Sequence, residues 1–518
     1  MSLVRNFTIV GAATLTSRLT GFVRDMLVAA TLGAGAVADA YVAAFLIPNL
    51  FRRLIGEGAF NAAYVPIFTR REAEGGPQSA EAFAEAALSL FLGIGLLILL
   101  ASEFMMPTLI TLVAPGFTGE TQKFADAVEF GRIMFPFIAI ILVVAVFTGT
   151  LNAMGRYAIA AWAPVLLNLL LIVALLYAVF AGLRGSRDAG FILVWTVLAA
   201  GCFNLLIVGF AVWRNGYRLL PHFPRFDADM RRLMMIALPG IAIAGAGHIN
   251  VVIAAQISSG TPSAVSWLYF AERIFQLPLG FVAAAVGVVL LPAIARHLAA
   301  GEIALARQAE SRALEFGLLI TLPAAIALSL LAKPIVSILY ERGAFTAQDS
   351  NAVASILRAL ALGLPAFVLV KVFLPAFLAR EDMKGPIIAA TLGIAANITV
   401  ALLLGPHMGA AAPALGVTAS ALVNAATLYV MLLGAGRFRP DKLARKRLPR
   451  VILASALSGV AIWLLVEFCR PWLKPGADAV IRATALAALC LISIMAHLVI
   501  CHLLKAIDFR EIRDSFRT

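Results

Sequence analysis

Two arginines and a glutamate interrupt an apolar stretch at Pro48-Asn49-Leu50-Phe51-Arg52-Arg53-Leu54-Ile55-Gly56-Glu57-Gly58-Ala59-Phe60. Upstream, Arg18, Arg24 and Asp25 interrupt another. An Arg, Lys or Asp at a bilayer centre costs roughly 2.5–3.5 kcal/mol on insertion scales, so several together should face a wet cavity rather than lipid. Arg273, beside Glu272, and Lys371 add charge from later in the chain, and Asp39 lies near one end of the second apolar segment. Arginine's planar fork donates two parallel hydrogen bonds to a phosphate or diphosphate. Arg18, Arg24, Arg52 and Arg273 are therefore the candidates for gripping an anionic substrate. Ser17, Thr14, Thr16, Thr20 and Asn49 offer neutral donors nearby. The competing reading is charge pairing that fixes helix packing, which fits Arg53 with Glu57 at i,i+4, and Asp25 or Asp39 with Arg24. Arg53, Glu57 and Asp25 are assigned that structural role, and Glu272 is placed to bond across an interface.

These side chains must be carried by membrane-spanning helices. The 518 residues are 62% hydrophobic and 13% charged, with a mean hydropathy of +0.95. A soluble domain carries about 25% charged residues, so the fold class is an all-α polytopic membrane protein. Candidate spans are 8–32, 36–56, 82–106, 126–150, 158–182, 190–213, 233–258, 264–296, 311–332, 350–378, 386–405, 408–434, 449–468 and 479–505, about fourteen in all. Residues 57–69 extend the second helix past a glycine break, and Gly405-Pro406-His407 divides spans eleven and twelve. With both termini inside, about 25 basic residues fall in inner loops and about 8 outside. The run Arg437, Arg439, Lys442, Arg445, Lys446, Arg447, Arg450 then lies on anionic headgroups. The excess of 41 basic over 28 acidic residues thus reflects topology, not nucleic-acid binding.

The chain also repeats itself. Pro107-Thr108-Leu109-Ile110, Pro115-Gly116-Phe117-Thr118, Arg132 and Pro136 return as Pro334-Ile335-Val336-Ser337, Gly343-Ala344-Phe345-Thr346, Arg358 and Pro365. The offset is about 227 residues. More loosely, Pro48 through Pro66 to Arg70 echoes Pro278 through Pro292 to Arg296. A parallel repeat follows, of two six-helix lobes over 1–220 and 221–436. Residues 437–518 then hold a basic loop, two appended helices and a tail. Repeat transporters bind substrate between their lobes near the midplane.

Other residues carry less. Cys202, Cys469, Cys490 and Cys501 have no metal or disulfide spacing, so no metal site is expected. Asp227-Ala228-Asp229 has a glycosyltransferase-like DxD pattern, but two acids before an apolar run cap a helix. His248, near Asn250, reads as a hydrogen-bonded core histidine. No Walker A sequence is present, so no nucleotide cofactor is expected and an ion gradient, the membrane potential or the substrate gradient would supply energy.

Ser17-Arg18-Leu19-Thr20-Gly21-Phe22-Val23-Arg24-Asp25, Asp39-Ala40, Pro48-Asn49-Leu50-Phe51-Arg52-Arg53-Leu54, Glu57-Gly58-Ala59-Phe60, Ala114-Pro115-Gly116-Phe117 and Ser266-Trp267-Leu268-Tyr269-Phe270-Ala271-Glu272-Arg273 together resemble the MurJ (MviN) lipid II flippases, of the multidrug/oligosaccharidyl-lipid/polysaccharide exporter superfamily. The resemblance implies fourteen helices, two lobes in a V, a cationic cavity, and a groove for a polyprenyl tail on the last two helices. It implies lipid II as substrate, moved from the inner to the outer leaflet of a bacterial cytoplasmic membrane by alternating access, with cell-wall synthases as partners and no catalysis. It maps the family's essential arginines onto Arg18, Arg24, Arg52 and Arg273, with Asp39 and Glu57 also matched. Gln276 departs from the pattern, where some members carry an acid. The alternative is a flippase for another polyprenyl-diphosphate-linked glycan; a polymerase would need an acid cluster in a sizeable outer loop, and none is evident.

Overall fold

In lipid the backbone must satisfy its own hydrogen bonds, and long apolar runs do so as helices. The computed structural model describes residues 3–56, 59–222, 226–380, 382–474 and 477–506. Its helices are α1 (Leu3–Leu32), α2 (Ala36–Gly56), α3 (Ala59–Val113), α4 (Thr121–Met134), α5 (Pro136–Ala153), α6 (Tyr157–Phe180), α7 (Arg187–Arg214) and α8 (Ala228–Ser258). They continue as α9 (Ala264–Ala299), α10 (Ile303–Leu330), α11 (Ala332–Tyr340), α12 (Ala347–Leu378), α13 (Lys384–Met408), α14 (Ala412–Gly434), α15 (Lys442–Leu473) and α16 (Ala479–Leu503). Among the described residues, nine helical stretches are long and apolar enough to cross a membrane.

Several boundaries differ from the sequence reading: residues 59–69, expected to extend the second helix, open α3, and the fourth span is divided between α4 and α5. Residues 70–81, expected as a polar loop, are helical within α3 apart from a kink at Gly76, whose φ of 72° and ψ of −178° suit glycine. Pro77 follows the kink and restarts the helix with its φ already set. Further on, Gly405-Pro406-His407 lies inside α13, and the reversal falls at Gly409, with φ 52°, and a short 3-10 turn through Ala411. Proline marked the wrong point because the positive φ of the reversal needs glycine.

The chain packs as two compact units. The first comprises residues 1–266 and 342–346. Within it α1 lies on α6, α3 on α5 and α8, α2 on α4, and α7 on α5 and α6. Gly116 and Gly343, one repeat period of 227 residues apart, play matching roles here. A Cβ on Gly116 would lie 2.2 Å from the Ser259 carbonyl at the end of α8. A Cβ on Gly343 would lie 2.2 Å from the Ala30 carbonyl at the end of α1. Ala344 N donates to that same Ala30 carbonyl at 2.9 Å. Each copy's glycine turn thus seats against the first helix of the other copy.

A polar strap crosses the first unit. Asp227 caps α8 by accepting from Met230 N at 2.8 Å, and also pairs with Arg71. Asp229 pairs with Arg70 and accepts from Arg71 Nε at 2.5 Å. Tyr217 Oη donates to Glu72 at 2.7 Å, and Arg218 N donates to Glu81 at 2.7 Å. The connection from α7 to α8 is therefore tied along α3, and the DxD pattern serves structure.

The second unit comprises residues 267–341 and 347–518. In it α12 packs on α10 and α14, α13 on α14, and the appended pair α15–α16 on α10. Val368, Val372, Phe373, Leu428, Leu432 and Phe438 form a core between α12 and α14. His497 of α16 fixes the appended pair: its ring nitrogens lie 2.9 Å from Ser458 Oγ on α15 and 3.1 Å from the Leu319 carbonyl on α10. The pairing of α15 with α16 follows from the short connection between them; their seat on α10 does not follow from the repeat, which gives them no counterpart.

The strap carries a pH prediction. Burial would raise the Asp229 carboxyl, but hydrogen bonds and charge from Arg71 and Arg70 outweigh it and hold the group below its usual range. A depressed folded value contributes stability above the unfolded pKa, near about 4, that is lost as pH falls through the folded value. Thermal unfolding of the purified protein should therefore shift downward below about pH 4. In Asp229→Asn that part of the acid sensitivity should be absent, and an unchanged acid profile would remove Asp229 from the account.

Candidate functional site

The charged residues of α1 are held by a neighbour that the sequence reading missed. Arg24 donates to Asp25 Oδ1 through Nη2 at 2.6 Å and Nε at 3.0 Å. Its Nη1 donates to Asn168 Oδ1 of α6 at 2.8 Å. The Asn168 amide then donates to the Ser17 carbonyl at 3.0 Å and to Thr20 Oγ1 at 3.3 Å. Asn168 is 5% exposed, and Gly21 lets it approach α1 closely, since a Cβ there would lie 3.3 Å from its Nδ2. One buried amide thereby orients the guanidinium and ties α6 to α1. A lone asparagine inside the apolar run Leu166-Leu167-Asn168-Leu169-Leu170 was the available signal.

Of Arg24's two candidate acids, the one it meets is Asp25. Arg18, almost two turns earlier on α1, is exposed. On α2, Arg52 Nη2 donates to Asn49 Oδ1 at 2.8 Å, one turn back. Arg53 is half-buried on the same turn, and its expected partner Glu57 lies outside the described residues. Ser17, Asn49 and Arg52 are half-buried as well.

Asp39 sits at the start of α2 and is fully buried. It accepts from Ser263 N at 3.0 Å, Ser266 N at 2.9 Å and Ser266 Oγ at 2.7 Å. It therefore caps the opening turn of α9, whose first residues belong to the first unit. The Lys123 ammonium of α4 lies 3.7 Å away, bonds Glu120 at 2.6 Å and sits over the Phe117 ring. Lys123, only 3% exposed, was not among the sequence candidates. Its place in the polar run Glu120-Thr121-Gln122-Lys123 gave it the look of a loop residue.

In the second unit, Arg273 lies half-buried on α9 with its guanidinium carbon 4.4 Å from the centre of the Tyr269 ring, one turn back. A cation over an aromatic face is stabilised by the ring quadrupole. Glu272 and Gln276 are half-buried on the same helix, and Lys371 is exposed on α12. In the first unit, then, Arg18, Arg24 and Asp25 are gathered on α1, and Arg52 and Arg53 on α2; in the second, Arg273 and Glu272 share α9. Among the described residues no group of three or more His, Cys, Asp or Glu side chains could hold a metal ion.

Comparison with known proteins adds to this geometry. The family profile described as "Lipid II flippase MurJ" matches residues 28–477. A protein of Rhizobium tropici named "Probable lipid II flippase MurJ" is 40% identical over 518 residues, covering 100% of this chain and 97% of the relative. A solved structure of a lipid II flippase MurJ in an inward closed conformation superposes with a TM-score of 0.77 at 22% identity, covering 98% of this chain and 99% of that one. An inward-facing multidrug resistance MATE transporter gives 0.65 at 16% identity, over 81% and 95% of the two chains. The structural likenesses establish the fold, and the family profile and the relative establish descent. This chain belongs to the MurJ lipid II flippase family.

Proposed function

We propose that this chain is a lipid II flippase, moving the undecaprenyl-diphosphate-linked peptidoglycan precursor from the inner to the outer leaflet of the bacterial cytoplasmic membrane. The observation that carries the reading is the family match across residues 28–477. The protein is a multi-pass transporter and not an enzyme. Its substrate is an anionic lipid, and cell-wall synthases are its natural neighbours on the outer side.

The finer reading has fourteen spans, two six-helix lobes and an appended pair that shelters the polyprenyl tail. The cycle is alternating access. Arg18, Arg24, Arg52 and Arg273 take the diphosphate, whose charge relieves their mutual repulsion and permits closure on the inner side. Asp25 and Asn168 support this by fixing the direction of Arg24. Asp39 belongs to closure at the opposite end, where its donors hold α2 against the start of α9. Energy comes from an ion gradient or the membrane potential. Both termini are cytoplasmic.

Two experiments test this reading. A lysine keeps the charge of an arginine but loses its fork. Losing one charge-assisted hydrogen bond costs about 1.5–3 kcal/mol, or at least about tenfold in affinity. Arg→Lys at 18, 24, 52 and 273 should therefore reduce complementation of flippase-depleted cells, and Arg→Ala should abolish it with the protein still present by immunoblot. Full activity of all four lysine variants, or restoration of Arg24→Ala by Asp25→Asn, would make these arginines packing elements instead. Orientation is tested by cysteine labelling. A cysteine within 437–450 should react with an impermeant thiol reagent only after the membrane is opened, whereas one at Thr118 should react in cells whose outer membrane alone is permeable. The reverse pattern would invert the topology.

A further inference from the structure

The two sequence copies treat one arginine differently. In the first copy Arg132 lies 3.8 Å from Glu103, an exposed ion pair at the end of α3. At the repeat period of 227, Glu103 falls on Leu330 and Met106 on Lys333. The second copy has thus replaced the acid with an apolar residue and added a cation. Its arginine, Arg358 of α12, donates to the Ser329 carbonyl at 3.3 Å and is exposed. The appended helix α16 brings a third cation to the same place: Arg482 donates to Ser337 Oγ of α11 at 2.5 Å.

The carboxylate that reaches this cluster is Glu341, 3.9 Å from the Lys333 ammonium. Three cations from three helices thus share one carboxylate. The crowding registers on Lys333, whose ammonium is held below its usual range by burial and by the Arg358 and Arg482 charges, with Glu341 opposing. Arg482 Nε is buried and makes no hydrogen bond. Crowding like charges is unfavourable unless an anion completes the set.

The surroundings say which anion. Val480 and Ile481 beside Arg482 are 69% and 48% exposed, and Leu362, one turn from Arg358, is 60% exposed. Cations embedded in exposed apolar surface at the end of spanning helices meet headgroups, not bulk solution. We propose that Lys333, Arg358 and Arg482 form a seat for the phosphate of an anionic membrane lipid, where α11, α12 and α16 converge. The lipid's charge completes the cluster, and its chains lie along the exposed faces of α12 and α16. The seat lies outside the arginine set assigned to the transported lipid and does not depend on that assignment.

The test is lipid retention by the purified full chain, read by native mass spectrometry during titration with phosphatidylglycerol or phosphatidylcholine. The wild type should retain phosphatidylglycerol preferentially. Lys333→Gln combined with Arg358→Gln should weaken retention by at least about tenfold, the cost of one charge-assisted hydrogen bond. Arg132→Gln, the paired counterpart in the first copy, should leave retention unchanged. Unchanged retention in the double variant would overturn the proposal. So would equal loss in Arg132→Gln, which would mean a diffuse charge effect. Displacement of phosphatidylglycerol by inorganic phosphate would also overturn it, by making the ligand a free anion. Each readout is binding, so none depends on whether lipid II is transported.

Discussion

The buried Asp39 carboxylate constrains how the two copies of the repeat can meet. Removing a carboxylate from water costs several kcal/mol unless hydrogen bonds and opposite charge replace the solvent. Here the replacements are Ser263 N, Ser266 N and Oγ, and the Lys123 ammonium. Residues 39 and 266 stand about one repeat period apart. The first copy's Asp39 therefore meets the corresponding region of the second copy. Two aspartates there would repel, and two serines would leave the opening turn of α9 with a weaker cap. One copy carrying the acceptor and the other the donors resolves the conflict, so the copies could not stay identical at this point. The glycine turns around it obey the same logic of exchange: Gly116 closes on α8 and Gly343 on α1, with no room for a side chain at either.

Charge within apolar helices is costly in lipid unless it finds partners. Arg24 illustrates how such partners are supplied. Asp25 neutralises it from the adjacent position, and Asn168 aims it from another helix. An arginine held in a fixed direction loses less entropy on meeting a ligand than one that must be ordered at that moment. For such a residue an acid on one edge of the guanidinium supplies orientation as well as charge.

Much of this was legible in the chain. Composition gives the class, and the recurrence of Pro107 through Phe117 at Pro334 through Phe345 gives the duplication. The intramembrane arginines could be found because charge is costly in lipid and so stands out. Asn168 and Lys123 could not be found in the same way. A single neutral amide barely disturbs an apolar pattern, and a lysine in a polar connection looks solvated until the fold buries it to 3% exposure. Their roles depend on contacts across 144 and 84 residues, between elements that no local rule brings together. The polar residues 70–81 were misread for a related reason. Their charges, which signal a loop in isolation, are satisfied by the strap from Tyr217 to Asp229 and so are compatible with helix.

The duplication also isolates where the two copies have diverged. At the 227-residue period Arg18, Arg24 and Asp25 fall on Gly245, Val251 and Val252, and Arg273 falls on Leu46. The cations therefore have no charged counterparts, although the helices bearing them do. A scaffold of two similar halves supplies elements that can exchange between related packings at small energetic difference. A substrate with a single charged head cannot be gripped equally by two equivalent sets of residues. The copies differ at these positions, so their cations are not arranged as two equivalent sets. The contacts that remain reciprocal, at Gly116 and Gly343, join the two sequence copies within the first unit, while Arg18, Arg24 and Arg273 stand at positions where the copies have diverged.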